Sequence, residues 1–260
     1  MHFFPRELAH AAPSRMRSAS LDIRPATWVQ QLLVPFFIYA ALMAWAVGAH
    51  GDLRIADGLY AWQGHAWALH ANRITEQWLH VGGKRASTAA WLLAALAWVL
   101  ASRRSDWAAW RRPLGYLLLS VLLSTVLVAW LKSRTHMDCP WDLLRYGGTR
   151  EYVPLLAVRP PGMAHGGCFP AGHASAGYAW MALYFCCAAV RPRWRWWGLG
   201  IGIVAGIAFG LAQQLRGAHF LSHDLTTAML CWSVAVLLDR LLLSRTLPNH
   251  ASPARHGAAA

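Results

Sequence analysis

The stretch "PLGYLLLSVLLSTVLVAWL", residues 113–131, decides the fold class of this chain. It contains no charged side chain, and it has the length of about 20 residues that a helix needs to cross a bilayer. Similar apolar runs occur on both sides of this stretch, at residues 27–49, 87–102, 173–190, 196–215 and 220–244. The run at 87–102 is short and is expected to borrow flanking residues. The sequence therefore predicts an all-α fold, a bundle of six transmembrane helices within one domain, 27–244.

The composition agrees with a membrane protein and excludes most other classes. Of the 260 residues, 57% are hydrophobic and only 13% are charged, which suits neither a disordered chain nor an ordinary water-soluble domain. The net charge of +13 does not form a basic domain, because the cations lie in the gaps between the apolar runs. We therefore expect a membrane-embedded protein with no nucleic-acid partner, and the oligomeric state stays open.

The distribution of arginines predicts how the helices are oriented. The short segments between the second and third runs and between the fourth and fifth runs are basic, as cytoplasmic loops are. Their arginines are Arg103, Arg104, Arg111, Arg112, Arg191, Arg193 and Arg195. A basic cytoplasmic tail, 1–26, is expected before the bundle, and a disordered cytoplasmic tail, 245–260, after it. The junctions between runs three and four and between runs five and six then face outward.

The segment between the first two runs is rich in aromatic residues and histidines. Trp62, Trp67 and Trp78 stand among polar residues there, which resembles a helix lying in the membrane interface. His65 and His70 are five residues apart, so they do not share one helical face and are expected to be surface histidines. The sequence has no cluster with metal-ligand spacing. We therefore expect metal-independent chemistry without a cofactor.

Three polar clusters fall at the outward junctions. They are "LKSRTHMDCPWDLLRYGG" at 131–148, "CFPAGHASAGYAW" at 168–180 and "QQLRGAHFLSHD" at 213–224. Ionisable groups at this depth are costly unless they have partners or a function. Lys132 and Arg216 also fit cations that extend from a helix end to the interface. His173 and His219 have the stronger claim, because a paired histidine acts as nucleophile, acid or base near neutral pH.

Taken in order, the three clusters resemble the signature of the type-2 phosphatidic acid phosphatase superfamily. That signature has a lysine, six residues and Arg-Pro; then Pro-Ser-Gly-His; then Ser-Arg, five residues, His, three residues and Asp. This chain has Lys132, six residues and Cys139-Pro140, followed by Pro170-Ala171-Gly172-His173. Aligned on His219, the third part has Gln213 at the arginine position and His223 at the aspartate position, with Asp224 one residue later.

The resemblance implies an integral membrane phosphatase that hydrolyses a lipid phosphate or diphosphate. Because the three clusters fall at junctions that are expected to face outward, the active site is expected at the outer face of the membrane, which in a bacterium is the periplasmic face of the inner membrane. His219 would be the nucleophile, which becomes a phosphohistidine, and His173 would protonate the departing oxygen. A lipid-to-lipid phosphotransferase and a catalytically inactive lipid-headgroup binder stay open as alternatives, and the sequence does not name the lipid.

A nucleophilic imidazole is normally oriented by a carboxylate on its second ring nitrogen. Asp224 is the nearest carboxylate to His219 in sequence, and His223 is the alternative orienting group. Five residues is an awkward helical spacing for the Asp224 contact. We therefore expect a non-helical turn from His219 to Ser222, with Ser222 capping the sixth helix.

Phosphoryl transfer also needs positive charge around the phosphate oxygens. Lys132 and Arg216 are the expected ligands, helped by backbone N–H groups at Ala171 and Gly172. Arg216 follows Gln213 by three residues and shares its face if the fifth helix continues that far. Other candidates for the missing guanidinium group are Arg134, Arg145 and Arg159.

Two cysteines, Cys139 and Cys168, lie outside the predicted crossings. Each flanks a different part of the expected phosphate site, and Cys139 fills the first arginine position of the resembled signature. In an oxidising compartment, a disulfide between them would close a loop of about 30 residues and hold the lysine cluster against the histidine cluster. The alternative is a pair of free thiols.

Overall fold

The computed structural model describes residues 27–155, 157–160, 162 and 166–244. This part of the chain is all-helical and has no strands, which confirms the predicted fold class. The two predicted tails, 1–26 and 245–260, lie outside the described residues.

Eight α-helices make up the described part. They are α1 (Trp28–Met43), α2 (Gly51–Trp62), α3 (Gly83–Arg103), α4 (Ala108–Thr135), α5 (Gly172–Tyr178), α6 (Leu183–Val190), α7 (Arg195–Leu215) and α8 (Leu221–Leu238). A π-helical segment, Arg73–Gly82, leads directly into α3, and a 3₁₀ segment, Ala179–Ala182, joins α5 to α6.

Five helical stretches of the described residues are long and apolar enough to cross a membrane. They are Trp28–Gly48, Arg73–Arg103, Ser105–Asp142, Pro192–Leu215 and Leu221–Leu243. The second begins earlier than the predicted run at 87–102, because the π-helical segment extends α3 towards its N-terminus. The predicted run at 173–190 is helical but divided by the 3₁₀ segment, and it is not one of the five. The crossing at 173–190 therefore stays a prediction.

A stripe of glycines lets α7 pack closely against the α5–α6 stretch. Gly198, Gly202, Gly206 and Gly210 recur every four residues and are all buried. A β-carbon on Gly202 would lie 2.3 Å from the backbone nitrogen of Met181, and one on Gly206 would lie within the ring of Tyr178. Small residues at such spacing allow helix backbones to approach each other in a membrane. This close contact fixes α5, which carries His173, against α7.

The segment between α1 and α3 does not form the single interfacial helix that its aromatic residues suggest. The helix α2 ends at Trp62, and turns occupy the residues up to Asn72. Trp62 and Trp78 are exposed, but Trp67 packs against Tyr146 with ring centroids 5.6 Å apart. A β-carbon on Gly217 would lie 2.5 Å from the Trp67 ring, so the segment lies directly over the turn between α7 and α8.

The start of α8 is capped by a residue of α2 and not by Ser222. His219 and Phe220 are non-helical, as expected, but α8 already begins at Leu221 with Phe220 as its N-cap residue. The Asp52 carboxylate accepts a hydrogen bond of 2.9 Å from the Ser222 backbone N–H. Burial raises the pKa of Asp52, and its hydrogen bonds to Ser222 partly offset this. A carboxylate at a helix N-terminus satisfies a donor that the helix itself leaves free.

Candidate active site

A cavity of about 830 Å³ brings the three polar clusters together. Lys132 lies near the end of α4, His173 in the first turn of α5, and Arg216 and His219 in the turn between α7 and α8. All four line the cavity, although they are distant in sequence. The described lining residues include Lys84 as a third cation and no carboxylate. The arrangement therefore favours an anionic ligand.

His219 is paired with His223 and not with a carboxylate. The two Nδ1 atoms are 3.3 Å apart, and both side chains are buried. Burial, followed by the charges of His223 and Lys132, lowers the pKa of His219 well below its usual range. Neutral imidazoles bond in this way when one Nδ1 donates and the other accepts. If His219 is the donor, its Nε2 keeps a lone pair available for attack on phosphorus.

Asp224 does not contact His219. Its Oδ2 accepts a hydrogen bond of 2.6 Å from Gln214 Nε2, and its Oδ1 has no hydrogen-bond partner. A β-carbon on Gly210 would lie 2.7 Å from Asp224 Oδ2, so the carboxylate is packed against α7. The predicted Asp224–His219 contact is therefore wrong, because α8 starts early enough to turn residue 224 towards the α7 backbone. His223, the alternative, is the residue whose ring nitrogen contacts His219 Nδ1.

Arg216 is held by four groups. Its Nε donates to the His70 carbonyl at 2.8 Å, and its Nη1 donates to His80 Nδ1 at 2.6 Å and to Gln213 Oε1 at 3.1 Å. It also forms an ion pair with Glu76. Gln213 therefore helps to hold Arg216, which lies three residues later in the chain. The Gln213 residue lines the cavity, and its Nε2 group is buried without a hydrogen-bond partner among the described residues.

His173 is supported by the π-helical segment. Its Nε2 lies 3.0 Å from the Leu79 carbonyl, to which it donates, and its ring centroid lies 4.6 Å from that of His80. Sequence motifs did not identify Glu76, His80 or Lys84 as site residues. One signal was present, because Lys84 and Lys132 are the only lysines in the chain. Both line the same cavity.

The two predicted backbone ligands differ in their surroundings. The Ala171 N–H donates to the His223 carbonyl at 3.2 Å, so its predicted role in binding phosphate is wrong. Gly172 does line the cavity. A β-carbon there would lie 3.4 Å from Lys132 Cδ, so a larger residue would crowd the lysine.

A disulfide joins Cys139 to Cys168, as the sequence predicts, with the Cα atoms 5.3 Å apart. Both cysteines line the cavity, and the bond ties the end of α4 to the chain just before α5. The alternative arginines serve other contacts: Arg145 pairs with Asp57, Arg159 pairs with Asp138, and Arg134 lies 5.7 Å from the Trp130 ring centroid. None of these arginines is among the described residues that line the cavity.

The far end of the cavity is apolar and lies between α3 and α4. Trp91, Val121 and Leu122 line it, and Trp91 Nε1 donates to the Leu118 carbonyl at 3.1 Å. This hydrogen bond joins the two helices at the end away from His219. The cavity therefore combines a cationic end with a long apolar wall.

A comparison with protein-family models agrees with this geometry. The model described as the PAP2 superfamily matches residues 113–246. The chain therefore belongs to the PAP2 superfamily, whose members are generally phosphatases. Searches of curated proteins and of solved structures find no match. The family match begins within α4, so Glu76, His80 and Lys84 lie outside it.

Proposed function

We propose that this protein is an integral membrane phosphatase that hydrolyses a lipid phosphate or diphosphate through a phosphohistidine on His219. The observation that carries the proposal is the two-ended cavity. Its cationic end holds Lys132, Arg216 and both candidate histidines, and its apolar wall continues to Val121, about 16 Å further along α4. A phosphate with a hydrocarbon tail fits both ends.

The proposed reaction consists of two successive displacements at phosphorus, first by His219 and then by water. Lys132 and Arg216 bind the equatorial oxygens, and the Gln213 amide donates to one of them. His219 Nε2 forms a bond to phosphorus while the bond to the departing oxygen breaks. His173 enters this step protonated on both ring nitrogens and gives its Nδ1 proton to that oxygen, while its Nε2–H stays bonded to the Leu79 carbonyl. Water then attacks the phosphohistidine, His173 takes a proton from the water, and inorganic phosphate leaves with neutral His219 restored. No step requires a metal ion.

The proposed membrane arrangement has six crossings: the five long apolar helical stretches and the divided helical run at 173–190, which is the fourth along the chain. Both termini are cytoplasmic, and the cavity opens on the periplasmic side of a bacterial inner membrane. The basic segments around Arg104 and Arg193 support this orientation. The Cys139–Cys168 disulfide supports it too, because disulfides persist in the periplasm and are rare in the cytosol.

The test is phosphate release by the purified chain in detergent. The substrates are phosphatidate, phosphatidylglycerol phosphate, a polyprenyl diphosphate and a phosphorylated glycolipid, each with and without an acceptor lipid. We expect release from at least one lipid, no effect of a chelator, and an acid-labile phosphate on the protein that His219→Ala abolishes. Transfer to the acceptor without release would identify a phosphotransferase instead.

An inactive headgroup binder is the second candidate, and the His219–His223 pair favours it. A neutral imidazole at the position of the signature's aspartate gives less electrostatic support to a histidine that becomes charged during reaction. Such a binder would bind the lipids and an oxyanion such as vanadate but release no phosphate from any of them.

A further inference from the structure

The π-helical segment Arg73–Gly82 presents two large apolar side chains on its outer side. Ile74 is 65% exposed and Trp78 is 74% exposed. Four residues, close to one helical turn, separate them, so both side chains lie on the same side of the segment. Exposed polar residues, Arg73 and Gln77, stand beside them. Large apolar side chains that are exposed together among polar ones mark an interaction surface.

The opposite side of the same segment holds two residues of the proposed reaction. Glu76 forms an ion pair with Arg216, and His80 Nδ1 accepts a hydrogen bond of 2.6 Å from Arg216 Nη1. The Leu79 carbonyl accepts a hydrogen bond of 3.0 Å from His173 Nε2. A shift of this one segment would therefore move the contacts of both Arg216 and His173.

The length of the helical stretch places the segment at the membrane interface. The whole stretch, Arg73–Arg103, has 31 residues, and α3 alone has 21 of them. Because about 20 residues cross the hydrocarbon core, α3 is sufficient for the crossing. The ten residues of the π-helical segment then lie at the level of the lipid headgroups, at the end of α3 where His80 lines the cavity.

We infer that Ile74 and Trp78 bind the interface of the phospholipid bilayer and that this contact positions Arg216 and His173. Tryptophan suits this level, because its ring packs against the upper acyl chains while its N–H reaches the headgroups. Ile74 and Trp78 are positioning residues, since neither is among the described residues that line the cavity. The membrane contact goes beyond the proposed function, whereas its effect on catalysis rests on that function.

Photocrosslinking tests what covers this surface, and it does not depend on activity. The full chain with Trp78→p-benzoylphenylalanine is placed in phosphatidylcholine nanodiscs and irradiated. We expect the peptide that contains position 78 to gain the mass of one phosphatidylcholine molecule. The same replacement at Glu151, an exposed residue between α4 and α5, is the control and should give far less lipid adduct. A crosslink to a second copy of the chain, or no lipid adduct at position 78, would overturn the inference.

Kinetics in the same nanodiscs test the positioning role, with a short-chain, water-soluble phosphatidate as substrate. We expect Trp78→Gln to lower kcat about tenfold with little change in KM, because the catalytic groups are displaced. Trp78→Tyr should restore most of the activity, since tyrosine also suits the interface. Trp197→Gln is the matched control, because Trp197 is likewise 74% exposed but lies in the first turn of α7. It should leave kcat unchanged.

A second background separates positioning from a general loss of structure. In Arg216→Lys, Trp78→Gln should cost less activity than in the wild type, since one of the two positioned groups is already altered. Equal losses in both backgrounds, or an equal loss in Trp197→Gln, would overturn the positioning role. A wild type that releases no phosphate from any lipid would overturn the proposed function and with it this role, and crosslinking alone would then decide the membrane contact.

Discussion

Two parts of the chain line the cavity, and only one of them matches the family model. Residues 113–246, which match the family model, contribute Lys132, His173, Arg216 and His219. Residues 27–103 precede the match, and from them His80 and Lys84 line the same cavity. The first part carries the residues of the proposed chemistry. The second part carries residues that hold and supplement them, so the site is larger than its motifs.

Arg216 illustrates this division most clearly. Three of the four groups that hold it, the His70 carbonyl, His80 and Glu76, come from the part before the match. Only Gln213 comes from the matched part. In this chain the third part of the signature has Gln213 at the arginine position and Arg216 three residues later, and the preceding part supplies most of the contacts that hold Arg216.

The largest effect should come from the matched part alone. We expect His219→Ala and His173→Ala each to lower kcat by at least about a thousandfold, because each removes a group that reacts. Thermal stability in detergent should change little. His65→Asn is the control, since His65 is exposed and does not line the cavity. Near wild-type turnover by His219→Ala would remove the nucleophile assignment and with it the distinction between the two parts.

The next effect concerns the displaced arginine. We expect Arg216→Lys to lower kcat/KM about a hundredfold, because a single ammonium group does not reproduce the guanidinium fork. Gln213→Ala should cost only about tenfold, through the loss of its support for Arg216 and of its own Nε2 donor. Arg134→Lys is the control, since Arg134 does not line the cavity. A larger loss in Gln213→Ala than in Arg216→Ala would show that Arg216 is not the phosphate ligand.

Glu76 tests whether the preceding part acts through the matched part. We expect Glu76→Ala to lower kcat/KM about tenfold, because its ion pair positions Arg216. In an Arg216→Lys background the same change should cost less than about twofold, since the positioned group is already lost. Glu151→Ala, at an exposed position, is the control. Equal losses of activity in both backgrounds would mean that Glu76 acts independently of Arg216.

The smallest effect concerns a surface ion pair between the two parts. Arg145, from the segment between α4 and α5, bonds to Asp57 from α2, and this hydrogen bond lowers the pKa of Asp57. A lowered carboxylate pKa stabilises the fold above the unfolded pKa, and this stability is lost as the pH falls through the folded value. Because Arg145 is exposed and Asp57 is partly exposed, we expect Asp57→Asn to cost less than about 1 kcal/mol.

Thermal midpoints at neutral pH and near pH 3 measure this contribution, and the difference between wild type and Asp57→Asn should be smaller at the lower pH. Asp106→Asn is the control, because Asp106 pairs with the nearby Arg104 and joins no distant segments. A difference between wild type and Asp57→Asn that grows on acidification would contradict the assigned sign.

The sequence by itself determined the fold class, the family and which end of the helices carries the site. Apolar runs of bilayer length predict helices, because a backbone in lipid has to satisfy its own hydrogen bonds. The positions of Lys132, His173 and His219 then predict that they meet, since each lies at a junction that is expected to face outward. The Cys139–Cys168 pairing also followed from position, because no other cysteines lie outside the predicted crossings.

Only the tertiary structure decided the partners of these residues. Spacing along the chain fixes an angle within one helix, but it does not fix which side chain of another helix is adjacent. Asp224 is therefore near His219 in sequence and yet bonded to Gln214. Nothing in the sequence distinguishes Lys84 from other cations near the end of a helix. It reaches the cavity because the π-helical segment before α3 packs against α7, at contacts between residues more than a hundred positions apart.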